Sequence, residues 1–222
     1  MPGIDIAGSL GVLSVALIPV LFAITLHEVA HGWVAMKLGD RTAELAGRLT
    51  LNPVRHIDPM GTVIIPIVLI FLGAPFIFGW AKPVPVAFHN LRQPRRDMIL
   101  VAGAGPASNL LMAMGWALFG GILSASSGAD SFTSNWLLGM CVVGIQINVI
   151  LAVFNMLPIP PLDGGRVLAG LLPPQNRVFL HRIEPYGMMI VIGLMFTGVL
   201  WAVVDPFRFF FLNFFFSVAG LA

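Results

Sequence analysis

Apolar residues run almost unbroken over about residues 9–38, 61–80, 98–125, 135–157, 186–204 and 207–221, and polar residues collect between them. Runs of about 20 apolar residues have the length of a membrane-crossing helix. Alternation of apolar and polar positions, the mark of a half-buried strand, is confined to short pieces near 42–51 and 82–89. The pattern predicts a polytopic α-helical membrane protein with five or six membrane segments. A small β or re-entrant region is expected between the first long helix and the next. The segment 61–80 holds Pro66 and Pro75, which fits a broken, re-entrant element buried by protein, although its length also fits a span. The last run, FRFFFLNFFFSVAGLA, is short for a span, and its aromatics suit the bilayer interface equally well. Proline and glycine punctuate the gaps, in LNPVRHIDPMG, WAKPVPVAF, LPIPPLDGGR and LLPPQN.

Composition supports this reading. Of 222 residues, 58% are hydrophobic and only 10% charged, against about 25% charged in soluble domains. No sizeable soluble domain fits, so residues 1–222 read as one integral-membrane domain. Its core covers about 9–170, and its C-terminal membrane segments about 186–221. The net charge of +2 is spread over loops, without the basic stripe and aromatic platform of a nucleic-acid-binding surface. The single cysteine, Cys141, has no intrachain partner and reads as a small core residue. The start, MPGIDIAGSL, lacks a basic leader, so the first hydrophobic segment is expected to be retained.

Loop charges orient the spans. Lys and Arg concentrate in 37–60, 81–97 and 159–185, whereas 126–134 carries none. By the positive-inside rule the three basic regions face the cytoplasm. Segments 98–125 and 135–157 then form a hairpin whose tip, near Asp130, faces outward.

Inside the first apolar run stands HEVAH, residues 27–31. On a helix, residues four apart share a face, so His27 and His31 can offer two imidazoles to one metal. Glu28 beside them can deprotonate a water. Ionisable residues within a membrane are rare and face a bundle interior or a wet cavity, so a solvated helix face is the weaker account of them. A catalytic zinc site uses three protein ligands, and two histidines plus a carboxylate is one known set. Glu44, Asp58 and Asp97 fall in basic loops, Asp130 on the opposite side, and Glu184 beside Arg182 in a loop. Asp163 follows a helix that Pro158, Pro160 and Pro161 must end, and Gly164 and Gly165 allow backbone shapes closed to other residues. His27 precedes Lys37 by ten residues, about 15 Å at the helical rise, and His31 lies about 9 Å below that end. The 135–157 helix returns to the same side, so all three candidate ligands can meet.

HEVAHG in a hydrophobic segment, followed much later by NMLPIPPLDGGR, resembles the site-2 protease family of intramembrane zinc metalloproteases. AGAGPASNLLMA at 102–113 and FGWAKPVPV at 78–86 resemble further stretches of its smaller bacterial members, and the likeness covers about residues 20 to 170. The resemblance implies one zinc ion on His27, His31 and Asp163, with Glu28 as catalytic base. It implies a three-helix catalytic core: one helix bearing HEVAH, one starting near AGPASN, one leading to the aspartate. It makes Asn155 a residue that hydrogen-bonds the substrate backbone. No inserted PDZ or appended CBS domain is evident, which matches the minimal subgroup. The implied activity is endopeptidase cleavage of a membrane-protein substrate, within or near its transmembrane segment, from a multi-pass protein of the cell membrane. The active site is expected in the cytoplasmic half of the bilayer. An unwound substrate needs replacement partners for its backbone, and strand addition near 82–89, together with Asn155, is the expected source.

Two rival readings are a metal transporter and a membrane zincin with glutamate as third ligand. A transporter scatters ligands along a path, whereas these cluster at one depth, and Glu184 is a poor substitute for Asp163. Partners are limited to the substrate and the lipid bilayer, and oligomeric state is not legible. His56, His89 and His181 are expected as solvated loop histidines. Asn109 and Asn148 fit helix–helix hydrogen bonding as well as a functional role, and the Gly/Ala run at 102–107 fits close helix packing.

Overall fold

The computed structural model describes residues 6–73, 79–126 and 132–221, and the expected hairpin tip near Asp130 lies outside them. Eight α-helices follow one another among the described residues: α1 Ile6–Lys37, α2 Thr42–Leu45, α3 Ile65–Phe71, α4 Pro94–Ala125, α5 Phe132–Asn155, α6 Asp163–Leu171, α7 Pro174–Phe196 and α8 Val199–Val218. Four of them, α1, α4, α5 and α8, contain stretches long and apolar enough to cross a membrane. Helices α1, α4 and α5 pack pairwise on one another, α6 lies on α4, and α8 lies on α5 and α4.

Small residues permit this packing. A side chain at Gly144 would overlap the Trp116 ring, and Gly120 and Gly121 bring α4 against Cys141 and the Val218–Ala219 end of α8. Cys141 is buried there, as expected of a small core residue. Ile145, Val149, Val191 and Val204 fill the centre. Leu111, Ile122, Phe71, Phe207 and Phe210 point outward, an apolar exterior suited to lipid. Proline, whose missing N–H costs nothing at a first helical position, opens α4 and α7.

Three expectations need correction. First, no strand forms among the described residues. Thr42–Leu45 is a helical turn, and residues 79–87 form no regular element. Pro83 and Pro85 explain part of this, since proline cannot donate to a ladder. Second, the boundary near residue 205 is displaced. Gly198, at φ +77°, separates α7 from α8, and the helix continues through Pro206. The apolar run 186–204 therefore belongs to two helices, and α7 lacks the apolar length of a span. Third, Glu184 and His181 lie within helix α7, not in a loop.

The two described ends of segment 61–80 lie side by side. A helical stretch beginning at Pro59 with wide π turns continues into α3, and its six- and seven-residue parts reach at most about 20 Å. That is short of a hydrocarbon core of about 30 Å. Asp58 accepts from Gly61 N–H at its start, and Gly73 (φ +65°) turns the chain at its end. Trp80 N–H donates to Gly61 O (3.2 Å) and Lys82 N–H to His56 O (2.9 Å).

Asp40, just past the end of α1, anchors the returning segment. It accepts from Ala87 N–H (2.7 Å), from Asn90 Nδ2 (3.1 Å), and from both the N–H and the hydroxyl of Thr42. Burial pushes the Asp40 carboxyl up, but the hydrogen bonds from Thr42, Asn90 and Ala87 outweigh it and hold the group below the ordinary carboxylate range.

Candidate metal centre

His27 and His31 stand one turn apart on α1, with rings edge to face at 4.6 Å. Their Nε2 atoms are 3.0 Å apart, and each is 3.2 Å from Asp163 Oδ2. The opposite ring nitrogens are committed. His31 Nδ1 donates to the Val101 carbonyl (2.7 Å) and His27 Nδ1 to Asn109 Oδ1 (2.5 Å).

The orientation of Asn109 is forced. Its amide nitrogen donates to Ala23 O and Asn148 Oδ1, and Asn148 in turn donates to Gly144 O. The fixed carbonyls of Ala23 and Gly144 thus set both amides, and Asn109 Oδ1 must face His27. With each Nδ1 carrying the proton, each neutral ring presents a lone pair at Nε2. Asp163 Oδ2 is buried without a hydrogen-bond donor. Three electron-pair donors therefore face one another in a buried place, an arrangement that a divalent cation satisfies. Two imidazoles and a carboxylate suit a first-row metal.

Two close approaches build this point. Helix α4 crosses the histidine pair at Gly105, where any side chain would overlap His31 Nε2 and His27 Cε1. The 102–107 run is close packing, as expected, but it also shapes the centre. Helix α5 ends at Asn155, the proline-rich turn doubles back, and Asp163 is the first residue of α6. Gly164 and Gly165 are ordinary helical residues, contrary to the expectation of unusual backbone shapes. They matter because a side chain at either would strike the 156–160 backbone. Arg95 ties the far end of α6 to the start of α4 through Gly170 O (2.9 Å) and Leu171 O (3.0 Å).

Glu28 Oε2 accepts from Val84 N–H at 2.7 Å. It lines a cavity of about 450 Å³ together with His27, Trp80, Asn155, Met188 and Trp201. Asn155 turns its amide nitrogen back to Leu151 O (2.9 Å). The other acids lie elsewhere: Glu44 pairs with Arg41 at 2.6 Å, and Asp58 and Asp97 accept backbone N–H groups at helix starts. His56 corrects the expectation of a solvated side chain, being 2% exposed with Nε2 against Thr50 O. Reasoning from sequence left Asn109 between two roles and missed Val101 O and Val84 N–H. Backbone atoms carry no residue signature, so only the fold could have found them.

Comparison with known proteins bears on this geometry. The profile described as Peptidase family M50 matches residues 117–198, the part that carries Asn155 and Asp163. The chain is 39% identical over 212 residues to YwhC of Bacillus subtilis, a candidate zinc metalloprotease, covering 90% of each protein. The chain belongs to peptidase family M50. It is a metalloprotease by that membership. It is also 33% identical over 180 residues to the candidate zinc metalloprotease Rip2 of Mycolicibacterium smegmatis, covering 81% of this chain and 66% of that one. With Rip2 of Mycobacterium tuberculosis it shares 30% over 183 residues, with the same coverage. No solved structure matches the chain significantly.

Proposed function

We propose that this M50 metalloprotease is a zinc-dependent intramembrane endopeptidase in regulated proteolysis, cutting a membrane protein within or near its transmembrane segment. The observation that carries the reading is the convergence of His27 Nε2, His31 Nε2 and Asp163 Oδ2 beside a cavity that Glu28 also lines. A zinc ion held by those three residues supplies a Lewis acid that polarises the scissile carbonyl and acidifies water. Glu28 takes a proton from the attacking water and delivers it to the leaving amine nitrogen, so the water is divided between the new carboxylate and the new amine. The Val84 N–H holds the Glu28 carboxylate in place for that transfer.

Asn155 offers its side-chain carbonyl to a substrate N–H, since its amide nitrogen is already engaged. Segment 82–87 receives the unwound substrate along its backbone. Pro83 and Pro85 have no N–H, and the N–H groups of Lys82, Val84 and Ala87 are committed to His56, Glu28 and Asp40, which leaves the Val86 N–H and the carbonyls to the substrate. The stretch from Pro59 sits in the membrane as a re-entrant element. The site lies in the cytoplasmic half, about 9–15 Å from the Lys37 end of α1.

The test uses purified full-length chain, its metal content and a single-span fluorescent reporter protein. Glu28→Gln should keep zinc and lose cleavage, whereas Asp163→Asn should lose zinc. Normal cleavage by Glu28→Gln, or zinc bound equally by Asp163→Asn, would overturn the assignment.

A further inference from the structure

A second cavity, about 580 Å³, opens between α1, α5 and α8. Its walls are apolar except for Gln146 on α5 and Asp205 and Arg208 on α8. It adjoins the cavity beside Glu28, since Val20, Ile147, Ile150 and Trp201 line both. The three polar residues sit in the middle portions of helices long and apolar enough to cross a membrane. Arg208 Nε donates to Asp205 Oδ1 at 2.9 Å, and the two side chains remain 31% and 35% exposed. The Gln146 side chain and the terminal guanidinium nitrogens of Arg208 have no hydrogen-bond partner among the described residues. Polar groups at such a depth are costly unless partnered, and they mark functional positions.

We propose that this groove reads the transmembrane segment of the substrate, with Gln146 and Arg208 donating hydrogen bonds to an oxygen-bearing side chain such as Asn, Gln or Asp on that segment. The inference rests on the intramembrane-protease reading above. Charge selects the ligand. Asp205 neutralises Arg208, and the terminal N–H groups of Arg208 and the amide N–H groups of Gln146 remain available as donors. A lysine on the substrate has no acceptor for the Arg208 and Gln146 N–H groups and sets a second cation beside the guanidinium. An apolar segment gains no hydrogen bond either, so the groove discriminates by a difference in partners. The register follows from the helices. Gln146 precedes Asn155 by nine residues and Arg208 follows Trp201 by seven, so the polar group stands about 10–14 Å from the cleavage cavity. In a helical substrate that is about seven to nine residues from the scissile bond.

The full-length Glu28→Gln chain in lipid nanodiscs, with a photocrosslinker at Val143 in the groove, tests this. The probes are single-span Leu/Ala peptides of about 21 residues bearing Asn, Asp, Lys or Leu at one position. Asn and Asp peptides should crosslink about threefold to tenfold more than Leu, the range of one interhelical hydrogen bond in a membrane, and Lys no more than Leu. Moving the Asn by half a helical turn should weaken the signal. A crosslinker at Leu111, outside the groove, should show no preference. Gln146→Leu, which alters an exposed side chain, should reduce the preference, and adding Arg208→Met should abolish it. Equal crosslinking by all four peptides, or a preference that survives both substitutions, would overturn the proposal. Cleavage by the unmutated chain is read separately. Preference without cleavage supports the groove while the protease reading fails, and cleavage without any preference sinks the groove alone.

Discussion

Glu28 Oε2 accepts a 2.7 Å hydrogen bond from the backbone N–H of Val84, so the proposed general base is held by a segment 56 residues further along the chain. Replacing Val84, which already stands between two prolines, with proline removes that donor and also exchanges a buried side chain that packs near Gly32. Hydrogen bonds to charged groups contribute about 1.5–3 kcal/mol. Val84→Pro should therefore lower kcat by about tenfold to a hundredfold while metal content stays at one ion per chain. Loss of metal instead would show that the segment supports the histidines and not the base.

Asn109 should act through the metal. Asn109→Leu leaves the His27 Nδ1–H and the Asn148 carbonyl unpartnered in a buried place. Outer partners of this kind are worth about tenfold to a hundredfold in metal affinity, so competition with a chelator should show a loss of that size. Asn109→Asp keeps an acceptor for His27 and should recover part of it. Equal losses for both would mean that the bundle, and not the histidine, was affected.

Gly105 and Gly103 form an internal control two residues apart on one helix. A methyl group at Gly105 would collide with both histidine rings, whereas one at Gly103 meets nothing within 4 Å. Gly105→Ala should abolish metal binding and Gly103→Ala should leave it intact, as measured by metal analysis of the purified variants. Equal retention would mean that α4 can shift aside.

Asp40 gives a pH signature. Its folded-state pKa is depressed, so its contribution to stability is complete above the unfolded carboxylate value of about 4. That contribution is lost as pH falls through the lower folded value. Asp40→Asn should lower Tm at pH 7 by several degrees and flatten the decline of Tm below about pH 4. An unchanged slope would assign the acid sensitivity to other groups.

Much of this was legible from the residues alone, for identifiable reasons. Long apolar runs make the spans hard to miss, and the cost of His27, Glu28 and His31 among them marks a site. The prolines after Asn155 announce that α5 ends and leave Asp163 free to turn inward. The errors arose where local pattern competes with packing. Alternation near 82–89 reads as a strand, but Pro83 and Pro85 deny it a ladder. Gly164 and Gly165 read as conformational glycines, yet the chain needs them for space. The α7–α8 boundary depends on one left-handed glycine, Gly198, in a run whose composition barely changes there.

The proposed ligand atoms come from residues 27, 31 and 163, and between them in sequence lie α3, α4 and α5. No chain that stops short of Asp163 can assemble the set, because the carboxylate is the last of the three to be made. Proteolytic competence is thus a late and all-or-none property of biosynthesis: a ribosome that has not passed Asp163 has produced helices, but nothing able to harm its neighbours in the membrane.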